Sequence, residues 1–414
     1  MVLKYFKILA KRNFFCLWIG QIVSQFGDRL TQIALVGLVS RVSMSSSHLA
    51  LIMSMAIIPV FIISPISGVY IDRWSKRKTM YISDFLRGLF ILLIPIFFLK
   101  LRSFAAVYVL IFLSFSAGRF FVPAKMAFIP EISKKEDLFL ANSLISITAT
   151  IAAVIGFGLG GIIVERWGVA TAFSLDAVTF FVSALAVFLI TTKEKGNFKV
   201  GDIIHLGKDV VSEVKRSFAW EFREGIKYIF NSDETKYAFK MFLFLFAYIG
   251  GLYVVFIRFI QEVLSSLTTD LGFVTVALGA GIFLGSLIYG RIADKFSVKK
   301  VINLSLLLTS LYLIFFVVSL RAYPQTLYAI ILACVLGMIT SPVFVGINAL
   351  IHKESDQKIL GRIFSGLEFT SHLGFLISMF ICSALADFFN PFTIIVSLGI
   401  IGFFLSTIFV FTHD

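Results

Sequence analysis

Charge is scarce in this chain of 414 residues: 15% are Asp, Glu, Lys or Arg, against about 25% in a soluble domain. With 58% hydrophobic residues, 48 of them Phe, and a mean hydropathy of +0.95, this excludes a soluble globule, which could not cover so much apolar surface. Cysteine is sparse too. Cys16, Cys334 and Cys382 all lie in apolar stretches and form no CxxC pair or metal-binding spacing, so they read as small core residues. No HExxH, Ser-His constellation or GxxxxGKS/T loop appears, and the five histidines are scattered. An enzyme, a metal site and a nucleotide-driven pump are therefore not expected. Acidic residues are fewer than basic ones, 24 against 37. The excess does not point to nucleic acid, since no basic stripe interleaves with aromatics on a soluble segment. No cleavable signal is expected either, because "KYFKILAKRN" leads straight into an apolar run too long for a signal core.

What is present is long apolar runs. A helix crossing a bilayer needs about 20 such residues. Twelve candidate spans follow, at 14–40, 48–71, 79–99, 103–126, 138–164, 169–191, 237–263, 268–290, 300–320, 325–348, 359–386 and 389–411. The longest polar break divides them into residues 1–191, a cytoplasmic linker 192–236 and residues 237–414, with six spans on each side. Within the linker, Val210, Val214, Phe218, Phe222, Ile226 and Phe230 recur every four residues among charges, which predicts an amphipathic helix on the inner membrane surface. With the N-terminus inside, cytoplasmic segments hold 27 Lys and Arg and the opposite side five. This asymmetry predicts a multi-pass protein with both termini cytoplasmic.

One short stretch is written twice. "GVYIDRWSKRKTM" begins at Gly68 and "GRIADKFSVKKVI" begins at Gly290. Gly68, Asp72, Arg73 and Arg77 thereby match Gly290, Asp294, Lys295 and Lys299, each time in the cytoplasmic loop between the second and third spans of its half. A glycine lets another helix approach closely. A carboxylate at a helix end in a partly dry place needs a cation nearby. The residue types suit a charged latch on the cytoplasmic side, beyond plain basic anchoring.

This loop resembles the signature of the major facilitator superfamily, G-x-x-x-D-R/K-x-G-R/K-R/K, with Ser75 and Ser297 in place of the second glycine. "QFGDRLTQIAL", "PAKMAFIPEISKKEDLFLANSL", "FREGIKYIFNSDETKYAFK" and "GRIFSGLEF" resemble a subgroup that includes bacterial macrolide, multidrug and siderophore exporters, with some likeness to lysophospholipid transporters. The resemblance implies an all-α membrane protein of twelve transmembrane helices in two pseudo-symmetric six-helix bundles. It implies a secondary transporter of the bacterial cytoplasmic (inner) membrane, working by alternating access. The expected function is proton-coupled export of a hydrophobic or amphiphilic small molecule. Lysophospholipid transport is the alternative, and a non-transporting receptor on the same fold a remote one. No cofactor beyond an ion gradient is implied, no partner beyond substrate and bilayer, and a monomer is expected.

Ionisable groups inside spans cost several kcal/mol unless paired or hydrated, so each is a candidate. Asp28, in span 1, is the deepest carboxylate of the first half and the candidate protonation site. Arg119, in span 4 where the family often places a functional arginine, is its candidate partner. Glu368 and His372 are four apart in span 11 and form the candidate coupling or substrate pair of the second half. Asp84 and Arg87 read as a local or gating pair, Arg258 and Glu262 as an outer-rim ion pair, and Asp176 as either a cavity residue or a link between helices. Gly156 with Gly160, and Gly281 with Gly285, have the spacing of close helix packing.

Overall fold

The computed structural model describes residues 2–42, 45–71, 74–101, 103–191, 233–354 and 360–412. The expected amphipathic helix at 210–230, Asp72 and Arg73 lie outside these residues. Among the described residues there is no strand. A short helix α1 (Val2–Leu9) precedes α2 (Arg12–Val42). Then come α3 (Ser46–Ile57), α4 (Pro59–Ile62), α5 (Ser64–Ile71), α6 (Lys76–Leu101), α7 (Phe104–Ile132), α8 (Leu138–Trp167) and α9 (Val169–Phe188). After the linker follow α10 (Asp233–Leu264), α11 (Thr269–Ile292), α12 (Val298–Ala322), α13 (Thr326–Glu354), α14 (Leu360–Ala386) and α15 (Pro391–Thr412).

Ten of these helices, α6 to α15, are long and apolar enough to cross a membrane. The other two of the twelve expected spans depart from that pattern for visible reasons. Helix α2 has 31 residues and length to spare, but carries Asp28 and Arg29 mid-way. The span expected at 48–71 is three helices, α3 to α5. Pro59 opens α4 at its first turn, and Pro65 falls in the first turn of α5. Each ring lacks the N–H that a continuous helix would use. Helix α7 runs six residues past its expected end at 126, carrying Pro123 and Pro130 inside it. Gly168, at φ 89°, forms the whole turn between α8 and α9, a backbone angle that side-chain-bearing residues rarely adopt.

The chain forms two compact units, one of residues 1–38 and 52–218 and the other of residues 39–51 and 219–414. In the first, α6 packs on both α7 and α9, and α2 lies against α8 and α9. There Gly156 faces Arg29 and the carbonyl of Phe26, and Gly27 faces Thr179 and Asp176. In the second, the main pairings are α11 with α13, α10 with α14, and α12 with α15. A side chain on Gly281 would come 2.0 Å from the Cys334 carbonyl, and one on Gly337 2.2 Å from that of Leu278. The α11–α13 seam is thus backbone against backbone.

The second unit includes the connection from Val39 to Leu51. Asp387, between α14 and α15, accepts hydrogen bonds from the Ser46 amide at 2.6 Å, the Ser45 hydroxyl at 3.0 Å and the Ser47 amide at 3.3 Å. It caps the N-terminus of α3 from 340 residues away. Arg258 donates to the Ser45 carbonyl at 2.9 Å. Burial pushes the Asp387 carboxyl up, but the hydrogen bonds from Ser47, Ser46 and Ser45 together outweigh it and hold the group below its ordinary 3.8.

Two outcomes follow from this packing. Gly281→Val forces a side chain onto a main-chain oxygen that cannot swing away, so its folded form should be less stable by at least about 1–3 kcal/mol, read as a lower melting temperature in detergent. Asp387→Ala should raise hydrogen exchange at the Ser46 and Ser47 amides roughly five-fold, the effect of losing a cap worth about 1 kcal/mol. Because the carboxyl is held low, the cap stays intact above its ordinary 3.8 and is lost only as pH falls below it. Exchange at these amides that ignored the substitution would dismiss the cap.

Candidate functional site

In both copies of the repeated stretch the described basic residues reach neighbouring helices of the same unit. Ser75 begins α6 by accepting, through its hydroxyl, from the Lys78 amide at 3.3 Å. A serine in place of the family's glycine thus serves as a cap. Lys76 pairs with Glu131 at the end of α7, and Arg77 donates to the carbonyl of Ile190 just past α9. That contact places a cation at a helix C-terminus. Gly68 lies in α5. In the second copy the backbone around Gly290 is open, with nothing within 4 Å of where a side chain would be. Asp294 lies in the short 3-10 turn Ala293–Lys295 and Lys295 is exposed. Lys299 reaches Glu234 at 3.4 Å and stands 5.7 Å from the centre of the Tyr237 ring.

The densest polar group of the first unit sits among α2, α6, α7 and α9. Gly27 leaves the space that lets α9 lie close to α2, since a side chain there would come within 2.0 Å of Thr179 and 2.1 Å of Asp176. In that gap the Thr31 hydroxyl of α2 donates to the fully buried Asp176 carboxylate, and Thr179 donates to it at 3.1 Å. Asp176 is therefore a link between helices. One turn away, the Ser183 hydroxyl donates to Asp84 at 2.6 Å.

Arg87 holds the centre. Its guanidinium forms an ion pair with Asp28 and lies 3.8 Å from Asp84, one turn back on its own helix. Beneath it the Phe180 ring is 4.0 Å away, a cation-over-ring contact that partly replaces lost water. Lys125 of α7 donates to Gln21 at 2.9 Å and is within electrostatic range of both Asp28 and Asp84. Side-chain exposure separates the members: 27% for Asp28, 11% for Arg87 and 1% for Asp84. Asp28 is the carboxylate of this set with open surface. Arg29 turns away from it, to Gln32 at 3.1 Å and over Phe157 at 5.3 Å.

The structure adds to these expectations. Asp28 meets Arg87, 59 residues on. Arg119 is half-buried on α7, next to Gly118, which lies against the Arg87 side chain. Asp84 and Arg87 are not merely a local pair, because Arg87 joins them to Asp28. Lys125, one of the 27 basic residues assigned above to cytoplasmic segments, is inside α7. The continuation of that helix through Pro123 was the signal that would have placed it. In the second unit Glu368 is exposed. The His372 ring meets the main-chain carbonyl of Glu368 at 2.8 Å and lies 6.1 Å from the Phe246 ring. The shared face thus supplies a main-chain contact. Arg258 keeps Glu262 in electrostatic range and also donates to the Ser45 carbonyl as described, with Asp387 in range as well.

The fold is that of a helical membrane protein, and the family match decides its class. Residues 5–365 match the family model described as transmembrane secretion effector, a branch of the major facilitator superfamily. The chain belongs to this family. It is a multi-pass membrane protein and a transporter of the major facilitator type. A Bacillus subtilis protein, the uncharacterized MFS-type transporter YkuC, is 26% identical over 368 residues, 87% of this chain and 82% of its own. The putative bacilysin exporter BacE of the same organism is 25% identical over 77% of this chain and 74% of its own. Macrolide efflux protein A of Streptococcus pyogenes is 19% identical over 91% and 90%. Among solved structures, the nucleoside transporter NupG shares the fold at a TM-score of 0.72 and 13% identity, with 96% of this chain and 97% of its own covered. A peptide transporter, POT, does so at 0.69 and 14%, covering 98% and 97%.

The cluster predicts a specific hierarchy of damage. Arg87→Met leaves Asp28 and Asp84 without the cation that meets both, and breaking such a buried pair from one side costs about 3–5 kcal/mol. Adding Asp28→Asn to that variant should recover part of the loss. Melting curves in detergent read both, and a lone Arg87→Met that melts like the parent would remove Arg87 from the centre of the cluster.

Proposed function

We propose that this protein exports a hydrophobic or amphiphilic small molecule across the bacterial cytoplasmic membrane in exchange for protons, with both termini in the cytoplasm. The observation that carries the reading is the arrangement around Arg87. Three carboxylates, Asp28, Asp84 and Asp176, share a region with two cations, Arg87 and Lys125. The charge on any one carboxylate therefore bears on the balance of the whole set. Inside a membrane an unbalanced charge is costly, so proton uptake and release there is a strong lever on conformation. Asp28 has the open surface such a proton needs. Relatives named for efflux of macrolides, bacilysin and multiple drugs support export. Mechanistically, protonated Asp28 loosens its hold on Arg87, which then relies on Asp84 alone. The helices joined there, α2 and α6, become free to move, and deprotonation restores the tie.

In the second unit Glu368 and His372, beside Phe246, are the proposed substrate-facing pair. An exposed carboxylate next to aromatic surface suits a cationic amphiphile. The protein is proposed to act as a monomer with no cofactor but the ion gradient. The cytoplasmic latch at Asp72 and Asp294, with Arg73, Arg77 and Lys295 as its cations, belongs to the same proposal.

The experiment is uphill transport in proteoliposomes with an imposed proton gradient, run in parallel with a fluorescent lipophilic cation and a labelled lysophospholipid. Asp28→Asn should drop gradient-driven flux at least ten-fold while leaving downhill exchange. Normal uphill transport by that variant would remove Asp28 from coupling. Flux of the lysolipid alone would replace the drug reading with the lipid one.

A further inference from the structure

Helix α2 carries a stripe of polar side chains that helix packing does not use. Gln21, Gln25, Asp28 and Gln32 are spaced four, three and four apart, which places them within an arc of about 60° on one side of the helix. The packing faces lie elsewhere. Gly20 sits against Ser183 and Ala186 of α9, and Gly27 and Thr31 meet Asp176 there. Arg29 and Leu30 lie against Gly156 and Gly160 of α8. Gln21, 3% exposed, is the buried edge of the stripe, while Gln25, Asp28 and Gln32 are each partly exposed. Hydrocarbon offers a carboxamide no hydrogen bond, so this surface at the middle of a span faces water or a polar ligand.

These side chains do not satisfy one another. The Gln21 side-chain oxygen accepts from the Lys125 ammonium at 2.9 Å and from the Gln25 amide at 3.5 Å, the outer limit of such a contact. Among the described residues this leaves the Gln25 side-chain oxygen, and the remaining hydrogens of the Lys125 ammonium, without a partner. Arg87 meets one oxygen of Asp28 and leaves the second. The Gln32 side-chain oxygen accepts from Arg29 at 3.1 Å and leaves its amide hydrogens. Along α2 the unused groups therefore run acceptor at 25, acceptor at 28 and donor at 32, with the Lys125 donor at the Gln21 end. From Gln25 to Gln32 the helix rises about 10.5 Å. Carboxamides carry no proton in the physiological range, so proton handling does not account for them.

We propose that this stripe is a subsite for amide groups of the transported molecule: the substrate is a compound of two or three linked amides, peptide-like in its hydrogen bonding, with apolar substituents. An amide presents N–H and C=O together, which is what two acceptors flanked by donors require. A purely apolar body satisfies none of them, and a lone cation satisfies only Asp28. Three extended peptide units cover about 10–11 Å, the length of the stripe. In the bound state the amide N–H groups donate to Gln25 and Asp28, and the carbonyls accept from Gln32 and Lys125. The inference rests on the transport reading and names the chemistry that its substrate presents to α2.

The test is fluorescence anisotropy of the full-length chain in detergent with two probes, dansyl-trialanine N-methylamide and the same compound with every amide nitrogen methylated. Both keep all carbonyls, and only the first keeps its N–H groups. The parent should bind the first at least five-fold more tightly. Gln25→Leu, which removes an acceptor, should cut that preference at least two-fold. Gln32→Leu, which removes a donor, should weaken both probes several-fold and leave their ratio. Should Gln25→Leu fail to fold, the parent's preference and Gln32→Leu decide. Equal binding of the two probes by the parent, or binding of neither, would overturn the proposal, as would a preference that Gln25→Leu leaves intact. Gradient-driven flux of the lipophilic cation, measured on the same protein in proteoliposomes, separates the two readings. Flux without amide preference sinks this subsite alone, whereas amide preference without flux sinks the transport reading and leaves the subsite standing.

Discussion

The organisation of the first unit rests on keeping one guanidinium out of water. Arg87 is nearly buried, and a cation so placed is tolerated only with compensation from all sides. Compensation comes from three directions at once: Asp28 across the helix interface, Asp84 one turn away, and the face of Phe180. Each partner brings its own requirement. Asp28 can meet Arg87 only if α2 lies close, and α2 lies close to α9 only because residue 27 has no side chain. Asp84 is itself buried and needs the Ser183 hydroxyl. A single costly charge thereby fixes the mutual positions of α2, α6 and α9. Removing any support exposes the others to the same penalty.

The second unit answers the same packing problem with little charge. Its seams are glycine against backbone carbonyl, at Gly281, Gly337 and Gly250, and hydroxyl or amide links. Tyr237 donates to Asn303 at 2.5 Å, Asn303 donates to the Phe409 carbonyl at 3.2 Å, and Thr309 meets Thr340 at 3.2 Å. The sequence echo between Gly68 and Gly290 marks a repeated element order, yet the interiors differ. One unit holds several buried titratable groups near one another. The other joins its long helices chiefly through neutral polar contacts and keeps charge at its edges, as at Arg258 and Asp387 on the Ser45–Ser46 connection and at Lys299 on Glu234. On the proposed reading this division assigns proton handling to the first unit and leaves the second free to fit a substrate.

How far these features could be read beforehand depends on whether they are local. Hydropathy and length placed the membrane helices, because a bilayer imposes the same demand on every span. Small-residue spacing at Gly156–Gly160 and Gly281–Gly285 flagged close packing, since nothing but a small residue allows it. The partner of Asp28 was not legible. A helix periodicity says which residues share a face but not which face of another helix meets it. Arg87 and Arg119 were equivalent on that ground. Proline misled in both directions. Pro59 and Pro65 break an apolar run that reads as continuous, while Pro123 and Pro130 sit inside a helix that continues, because in lipid the backbone has no water to turn to and neighbouring groups re-satisfy it. The cap that Asp387 gives α3 spans 340 residues and has no sequence signature.

The exposure gradient within the cluster separates a site that works from one that only holds. Asp176 is fully buried and bound by the Thr31 hydroxyl of α2 and the Thr179 hydroxyl one turn along its own helix, so its bonds are satisfied in place at the α2–α9 seam. Asp84 is equally enclosed, with Ser183 on one oxygen and Arg87 beside the other. Asp28 alone of the three combines a direct tie to the buried cation with surface open to exchange. If protons drive this transporter, the event at Asp28 is felt first by Arg87 and through it by Asp84, whose hydroxyl partner sits on α9. The order of effects is dictated by contact rather than by sequence position. A change of one charge at the accessible end therefore alters the balance on three helices, α2, α6 and α9.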